Sequence, residues 1–289
     1  MRFSMLALGM VVLVGCRPSA GGTEKPKPSY GQPEVLIALD DSRVKESSGL
    51  APSRLIPGSY YTINDSGNPP EIYRLEPRTG KVEAIPVPGA ENVDWEDLAT
   101  AAIDGRPYIF IGDIGDNTGR RASITVYRAP ETVEGENLRI DQTYTLRYPD
   151  EPHNAETLMV HPNGDLYIVT KAATRPSMVF KLPPPAAGGE YVLQKVGEVQ
   201  LGTELRESRL VTGGAVSPNG DRVVLRTYMS AYEFAAPKAF DDWVKAVPSP
   251  VRTNFDGQGE AITYALDGSG MLTSSEGRPC LISSIPSDP

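Results

Sequence analysis

The sequence predicts an all-β protein, a propeller of five four-stranded blades closed by a strand from its own N-terminal end. Three observations carry this. Short runs of Val, Ile, Tyr, Leu and Thr alternate with clusters of Gly, Pro, Asn and Asp, the pattern of strands and turns. A strand–turn–strand unit recurs five times along the chain. The last unit lacks a fourth strand, while an unassigned strand, Glu34-Val-Leu-Ile-Ala-Leu39, precedes the first.

The chain opens with Arg2 and an apolar run from Met5 to Val14, ending Leu13-Val14-Gly15-Cys16. That run is too short to span a bilayer, which takes about 20 apolar residues, and reads as a secretion signal. Its ending resembles the bacterial lipobox, which implies that residues 1–15 are removed and that Cys16 is lipidated. Residues 16–33 then form a lipidated Cys and a tether rich in Pro, Gly, Ser and Lys. Residues 34–289 form the propeller. The expected location is extracytoplasmic, at a membrane surface reached through the lipid, and the outer membrane where the host has one.

Leu158-Met-Val-His-Pro-Asn-Gly-Asp-Leu-Tyr-Ile-Val169 and Ala215-Val-Ser-Pro-Asn-Gly-Asp-Arg-Val-Val-Leu225 are two copies of the unit. Asn-Gly supplies the positive φ angles that tight hairpins require. Copies turning at Asp-Gly begin at Leu98 and Ala261, and a looser one begins at Ser48. Glu46, Glu96, Glu156, Gly214 and Glu260 stand at matching places, 46 to 60 residues apart, a spacing that suits four-stranded blades. Third strands fit Glu71, Ile124, Met178, Ala231 and Cys280 onward; fourth strands fit 82–87, 142–148, 192–201 and 251–255. With the orphan strand as the last blade's outer strand, the ring closes and no edge is left open. Six blades, or two stacked sheets, are the alternatives. A helix is expected over 238–247, where Phe240, Trp243, Val244 and Val247 share a face.

The composition excludes several classes. A net charge of −9, spread along the chain, gives no basic patch for nucleic acid. Of two cysteines, Cys16 is committed to the anchor and Cys280 has no partner, so neither a disulfide framework nor a thiolate zinc site is available. There is no Gly-x-Ser-x-Gly elbow, phosphate loop or dinucleotide fingerprint. A monomer is expected.

In a propeller the innermost strands start at one mouth of the central channel. The alignment therefore predicts a funnel lined by Glu46, Glu96, Glu156 and Glu260, with Asp65, Asp113, Thr170-Lys171, Arg226-Thr227 and Glu276 from the second strands, and Asp94 and Asp116 beside them. Four Glu around one pore require protons, the cations Lys171 and Arg226, or a metal. Oxygen ligands on acidic turns favour calcium, with Glu46, Asp65, Glu96, Asp113, Asp116 and Glu276 as candidate ligands. Glu156, Glu260, Lys171, Arg226 and His153 are the candidate catalytic groups. His161 lies in a hairpin turn, and Trp95 suits a plug between blades.

At Glu46-Ser-Ser-Gly-Leu-Ala, Asn64-Asp-Ser-Gly-Asn, Asp94-Trp-Glu-Asp-Leu-Ala, Gly112-Asp-Ile-Gly-Asp-Asn and Gly259-Glu-Ala-Ile the chain resembles a group of uncharacterised secreted bacterial propeller lipoproteins, over most of residues 43 to 277. More distantly it is similar to esterase-like and phytase-like propellers, which implies action on phosphate esters with calcium, although a full phytase ligand set is not matched. Three functions follow as expectations. The first is a calcium-holding envelope module that binds a polar or anionic small molecule or a protein loop. The second is a calcium-dependent phosphoesterase using Lys171, Arg226 and His153, and the third a glycosidase using two of the Glu.

Overall fold

A computed structural model of the protein describes residues 29–133, 135–174, 176–184 and 187–288. Cys16 and the signal segment lie outside the described residues. Five sheets, antiparallel but for one parallel edge strand on the second, form a five-bladed propeller. The first blade is β2 (Ser47–Pro52), β3 (Tyr60–Asn64), β4 (Glu71–Glu76) and β5 (Lys81–Pro86), counted from the axis outward, with β1 (Glu34–Leu39) reserved for the last blade. The second is β6 (Trp95–Ile103), β7 (Arg106–Asp113), β8 (Ile124–Pro130) and β9 (Gln142–Arg147). The third is β10 (Ala155–Val160), β11 (Leu166–Thr170), β12 (Ser177–Leu182) and β14 (Gln194–Val199), with β13 (Gly189–Val192) intervening in sequence. The fourth is β15 (Val211–Val216), β16 (Arg222–Thr227), β17 (Ala231–Ala235) and β18 (Ser249–Val251). The fifth is β19 (Gly259–Tyr264), β20 (Gly270–Ser275) and β21 (Cys280–Pro286), completed by β1.

Ring closure follows the accounting of strands in the sequence. β1 runs antiparallel to β21, pairing Leu39 with Cys280 and Ile37 with Ile282. Further ties hold the entering chain: Gly31 N–H donates to Pro286 O (2.9 Å), Asp288 N–H to Ser29 O (2.9 Å), and Tyr30 Oη to Glu233 Oε1 (2.6 Å). The core lies between blades, because each sheet is apolar on both faces. Tyr61, Ile63, Trp95 and Ile111 fill the first interface, Leu158, Ile168 and Phe180 the second, and Leu39, Leu75 and Ile282 the one that closes the ring. Trp95 is the plug expected of it, fully buried, with its indole N–H on Glu91 O (2.8 Å).

Three expectations need correction. The run 192–201 is not one strand. Residues through Val192 pair parallel with β9 as a fifth strand of blade two, and Leu193 donates its N–H to Arg147 O before β14 crosses to blade three. The fourth strand of blade four is Ser249–Val251, and Phe255 is 82% exposed beyond it. The segment 238–247 is a single 3-10 helix, Phe240–Lys245. Its three-residue period aligns Phe240 with Trp243, which is buried against Phe234, and leaves Val247 82% exposed.

Ile282→Ala, at a buried position of the closing sheet, is expected to cost about 2–5 kcal/mol in denaturant unfolding. Leu36→Ala, on the exposed part of β1, is expected to cost about 0.5 kcal/mol or less. Equal costs would contradict closure through this packing.

Candidate functional site

In every blade the first hairpin carries a register shift at the mouth of the channel. It falls between Ser47 and Leu50, Trp95 and Asp97, Ala155 and Thr157, Val211 and Gly213, and Gly259 and Ala261. An extra residue in one strand re-aims its side chain. The residues so placed are Ser48, Glu96, Glu156 and Glu260, which reach the central cavity, and Thr212, whose buried hydroxyl donates to Gly259 O (2.8 Å). One step up, the hairpins close by equivalent bonds: Asp65 N–H to Glu46 O (3.2 Å), Gly115 to Asp94 (3.1 Å), Lys171 to Asn154 (3.0 Å) and Glu276 to Gln258 (3.0 Å).

These positions surround a cavity of about 230 Å³ lined by Glu46, Ser47, Ser48, Asp65, Glu96, Asn117, Glu156, Lys171, Tyr228, Glu260 and Glu276. Of the residues named from sequence, the structure brings Glu46, Asp65, Glu96, Glu156, Lys171, Glu260 and Glu276 together here. Asp65, Asp94 and Glu96 offer carboxylate oxygens that all lie within 4.8 Å of one another. Gly115 backs onto this trio: a Cβ there would stand 2.4 Å from Asp94 Oδ2 and 2.5 Å from Glu96 Oε1.

Four named residues lie elsewhere. Asp113 accepts the backbone N–H of Asp94 (3.1 Å) and pairs with Arg121 Nη1 (2.7 Å), tying the strand entry. Asp116 accepts Arg121 N–H (2.7 Å) and the Thr118 hydroxyl (3.1 Å), which is a turn function. His153 is sealed against Phe180 and Tyr148, with Nε2 3.0 Å from Asp150 Oδ1. Arg226 is buried, paired with Asp256 (2.8 Å) and donating to Ala261 O (3.1 Å). Gly259 is required there, since a Cβ would fall 2.1 Å from Arg226 Nη2.

Sequence alignment of the repeats placed two blades out of step. In blade four the aimed residue is Thr212, not Gly214, and the counterpart of Lys171 is Tyr228, one residue past the Val211–Thr227 pair. Arg226 is thus two positions below Tyr228 and belongs to the blade-four sheet rather than the rim. In blade one the counterpart of Glu96 is Ser48, whose hydroxyl donates to Glu96 Oε2 (3.3 Å). Glu46 corresponds to Asp94 and accepts Asn68 Nδ2 (2.6 Å). Ser48 and Tyr228 were missed; the register shift in each hairpin is the signal that finds them.

Electrostatics follow from crowding and burial. Lys171 pairs with Glu156, donates to Tyr228 Oη (2.7 Å) and sits 4.8 Å over that ring. Burial opposes its charge, but Glu156 outweighs burial and holds Lys171 above its ordinary value. Burial raises Glu96 well above the carboxylate range, with Glu156 adding to it. Burial likewise lifts Glu156 to about 7 against the pull of Lys171, Glu260 to about 8 with help from Glu156, and Asp94 to about 6 with help from Asp65. The metal-free funnel therefore holds protons near neutral pH.

No protein-family model matches the chain, and no curated protein matches it in sequence. Solved structures do. The PQQ-bound aldose sugar dehydrogenase of Streptomyces coelicolor aligns at TM-score 0.52 and 12% identity, over 90% of this chain and 100% of that one. The major allergen Mala s 1 of Malassezia sympodialis aligns at TM-score 0.54 and 10% identity, over 90% and 97%. At such identity the likeness is one of fold, and it agrees with the propeller described above.

Glu156 and Glu260 bind protons more tightly folded than unfolded, where their ordinary value is 4.5. Their contribution to stability is full below pH 4.5 and is lost as pH rises through about 7 and 8. The metal-free domain is expected to lose stability from pH 5 to 8, at up to about 1.4 kcal/mol per pH unit for each whole proton of difference. Glu260→Gln should flatten the upper part of that profile in urea titrations, and parallel profiles would contradict the assignment.

Proposed function

We propose that the protein is a lipid-anchored, extracytoplasmic binding module whose funnel holds one calcium ion and presents it to a polar ligand or protein loop. The observation that carries this is the trio Asp65, Asp94 and Glu96, three carboxylates from two blades converging within 4.8 Å. Hard oxygen donors without His or Cys suit calcium, which takes six to eight oxygens at about 2.3–2.6 Å. Three side chains leave several positions for water or for oxygens of a ligand entering from the mouth. Such an ion would take over the compensation that protons supply in its absence.

The funnel's surplus of negative charge supports the same reading. Its one lining cation among the described residues, Lys171, is already paired with Glu156. A phosphoesterase clamp built from Lys171, Arg226 and His153 is disfavoured, because Arg226 serves Asp256 and His153 is packed against Phe180. Anchoring through Cys16 rests on the sequence of the leader alone.

Thermal unfolding of the mature protein with added calcium tests this. Free calcium at one hundred times its Kd is expected to stabilise by about 2.7 kcal/mol, reversed by EDTA. Glu96→Gln should lose most of that gain, and Glu190→Gln, on an exposed outer edge, should keep it. No shift at millimolar calcium would reject the site. Release of phosphate from esters that EDTA abolishes would move the function to the phosphoesterase.

A further inference from the structure

Strand direction fixes which end of the propeller meets the tether. Each innermost strand starts at the funnel and runs away from it, so the turns after the first strands mark the opposite face. β1 pairs antiparallel with β21 and starts opposite Ser284, near the far end of β21, so it enters from that opposite face. Tyr30 bridges to Ser287 there, and its hydroxyl is held by Glu233 across the boundary of blades four and five. The exit point of the tether is thus clamped to the face remote from the carboxylates.

The same face carries an apolar groove. A cavity of about 780 Å³ lies between blades five and one, lined by Leu36, Ile56, Pro57 and Ile285 among others. Leu36 is the residue at which β1 slips register against β21, and it is 43% exposed. On neighbouring turns Leu55 is 41% exposed and Leu266 36%. Charge at the groove is mixed, with Arg78, Glu76 and Asp267 all in its lining, so it has no net pull on anionic headgroups. Its apolar residues suit the bilayer interface itself.

Cys16 stands 13 residues before Ser29, which spans at most about 45 Å however the chain runs. A strand of six residues adds about 20 Å between the two faces. An acylated Cys16 thus tethers the protein from the groove face, with Ser29 within about 45 Å of the lipid.

We infer that the face opposite the funnel, centred on the groove between blades five and one, rests on the membrane, so that the carboxylate funnel opens away from it. This rests on the anchoring of Cys16 in the function proposed above. It does not depend on calcium.

The test uses the full lipidated chain in phosphatidylcholine–phosphatidylethanolamine vesicles, with an environment-sensitive fluorophore on Leu36→Cys, Leu55→Cys or Phe255→Cys. Phe255 lies on the funnel side, in the connection from β18 to β19. Nitroxide lipids are expected to quench the Leu36 and Leu55 labels at least threefold more than the Phe255 label, with little dependence on salt. Equal quenching, stronger quenching at Phe255, or none at any position in vesicle-bound protein would overturn the orientation. Failure of the protein to float with vesicles would reject the anchor and the orientation with it. Shielding of the Leu36 label in Cys16→Ser protein without lipid would instead seat the chain's own tether in the groove if independent of concentration, or a second copy if dependent on it; either overturns the proposal.

Discussion

One added residue near the start of each innermost strand governs the site. An unbroken antiparallel hairpin alternates its side chains between the two faces of the blade, and both faces are occupied by neighbouring blades. The register shift takes one residue per blade out of that alternation, and in four blades that residue, Ser48, Glu96, Glu156 or Glu260, lines the central cavity. Five blades repeat the device, and three of them spend it on glutamate. The funnel is thus a consequence of backbone register, and the identity of the aimed residue is free to differ by blade, as Ser48 and Thr212 show.

Burying several carboxylates together is costly unless something compensates them. The blades divide the compensation unevenly. On the side of blades three and four, Lys171 and Tyr228 attend Glu156. On the side of blades one and two no cation lines the cavity among the described residues, and Asp65, Asp94 and Glu96 converge with Ser48 donating to Glu96 and with Ser66 and Arg121 acting on Asp94 from outside the lining. Gly115 lets the backbone approach that trio where any side chain would collide. The asymmetry gives the funnel a polar direction, with a carboxylate cluster on one side and the Lys171–Glu156 pair on the other.

The sequence disclosed the fold through its repeat and its missing strand, since closing a ring leaves few ways to place Glu34–Leu39. It disclosed the funnel less evenly. Alignment by Pro-Asn-Gly-Asp turns fixes the far end of each hairpin, whereas the site lies at the near end, beyond the register shift. There the alignment is two residues off in blades one and four, and Arg226, two positions below Tyr228, serves Asp256 instead of lining the funnel. Asp113 and Asp116 misled for a different reason: Asp in a Gly-rich turn bonds backbone N–H groups as readily as it binds ions. In Asp94-Trp-Glu-Asp the roles alternate. Asp94 and Glu96 meet Asp65 at the cavity, Trp95 plugs the blade interface, and Asp97 accepts the N–H groups of Leu98 (2.8 Å) and Leu158 (2.9 Å) to join blades two and three. The strand β13 left no mark in the repeat because it belongs to a connection between blades.

Crystals of the mature domain grown with calcium, or with terbium in its place, give the most direct measurement, through an anomalous-difference map. The account predicts a single strong peak in the funnel, coordinated by Asp65, Asp94 and Glu96 with oxygens at about 2.3–2.6 Å. A funnel holding only water at saturating ion, with the peak on an outer surface or absent, would contradict it.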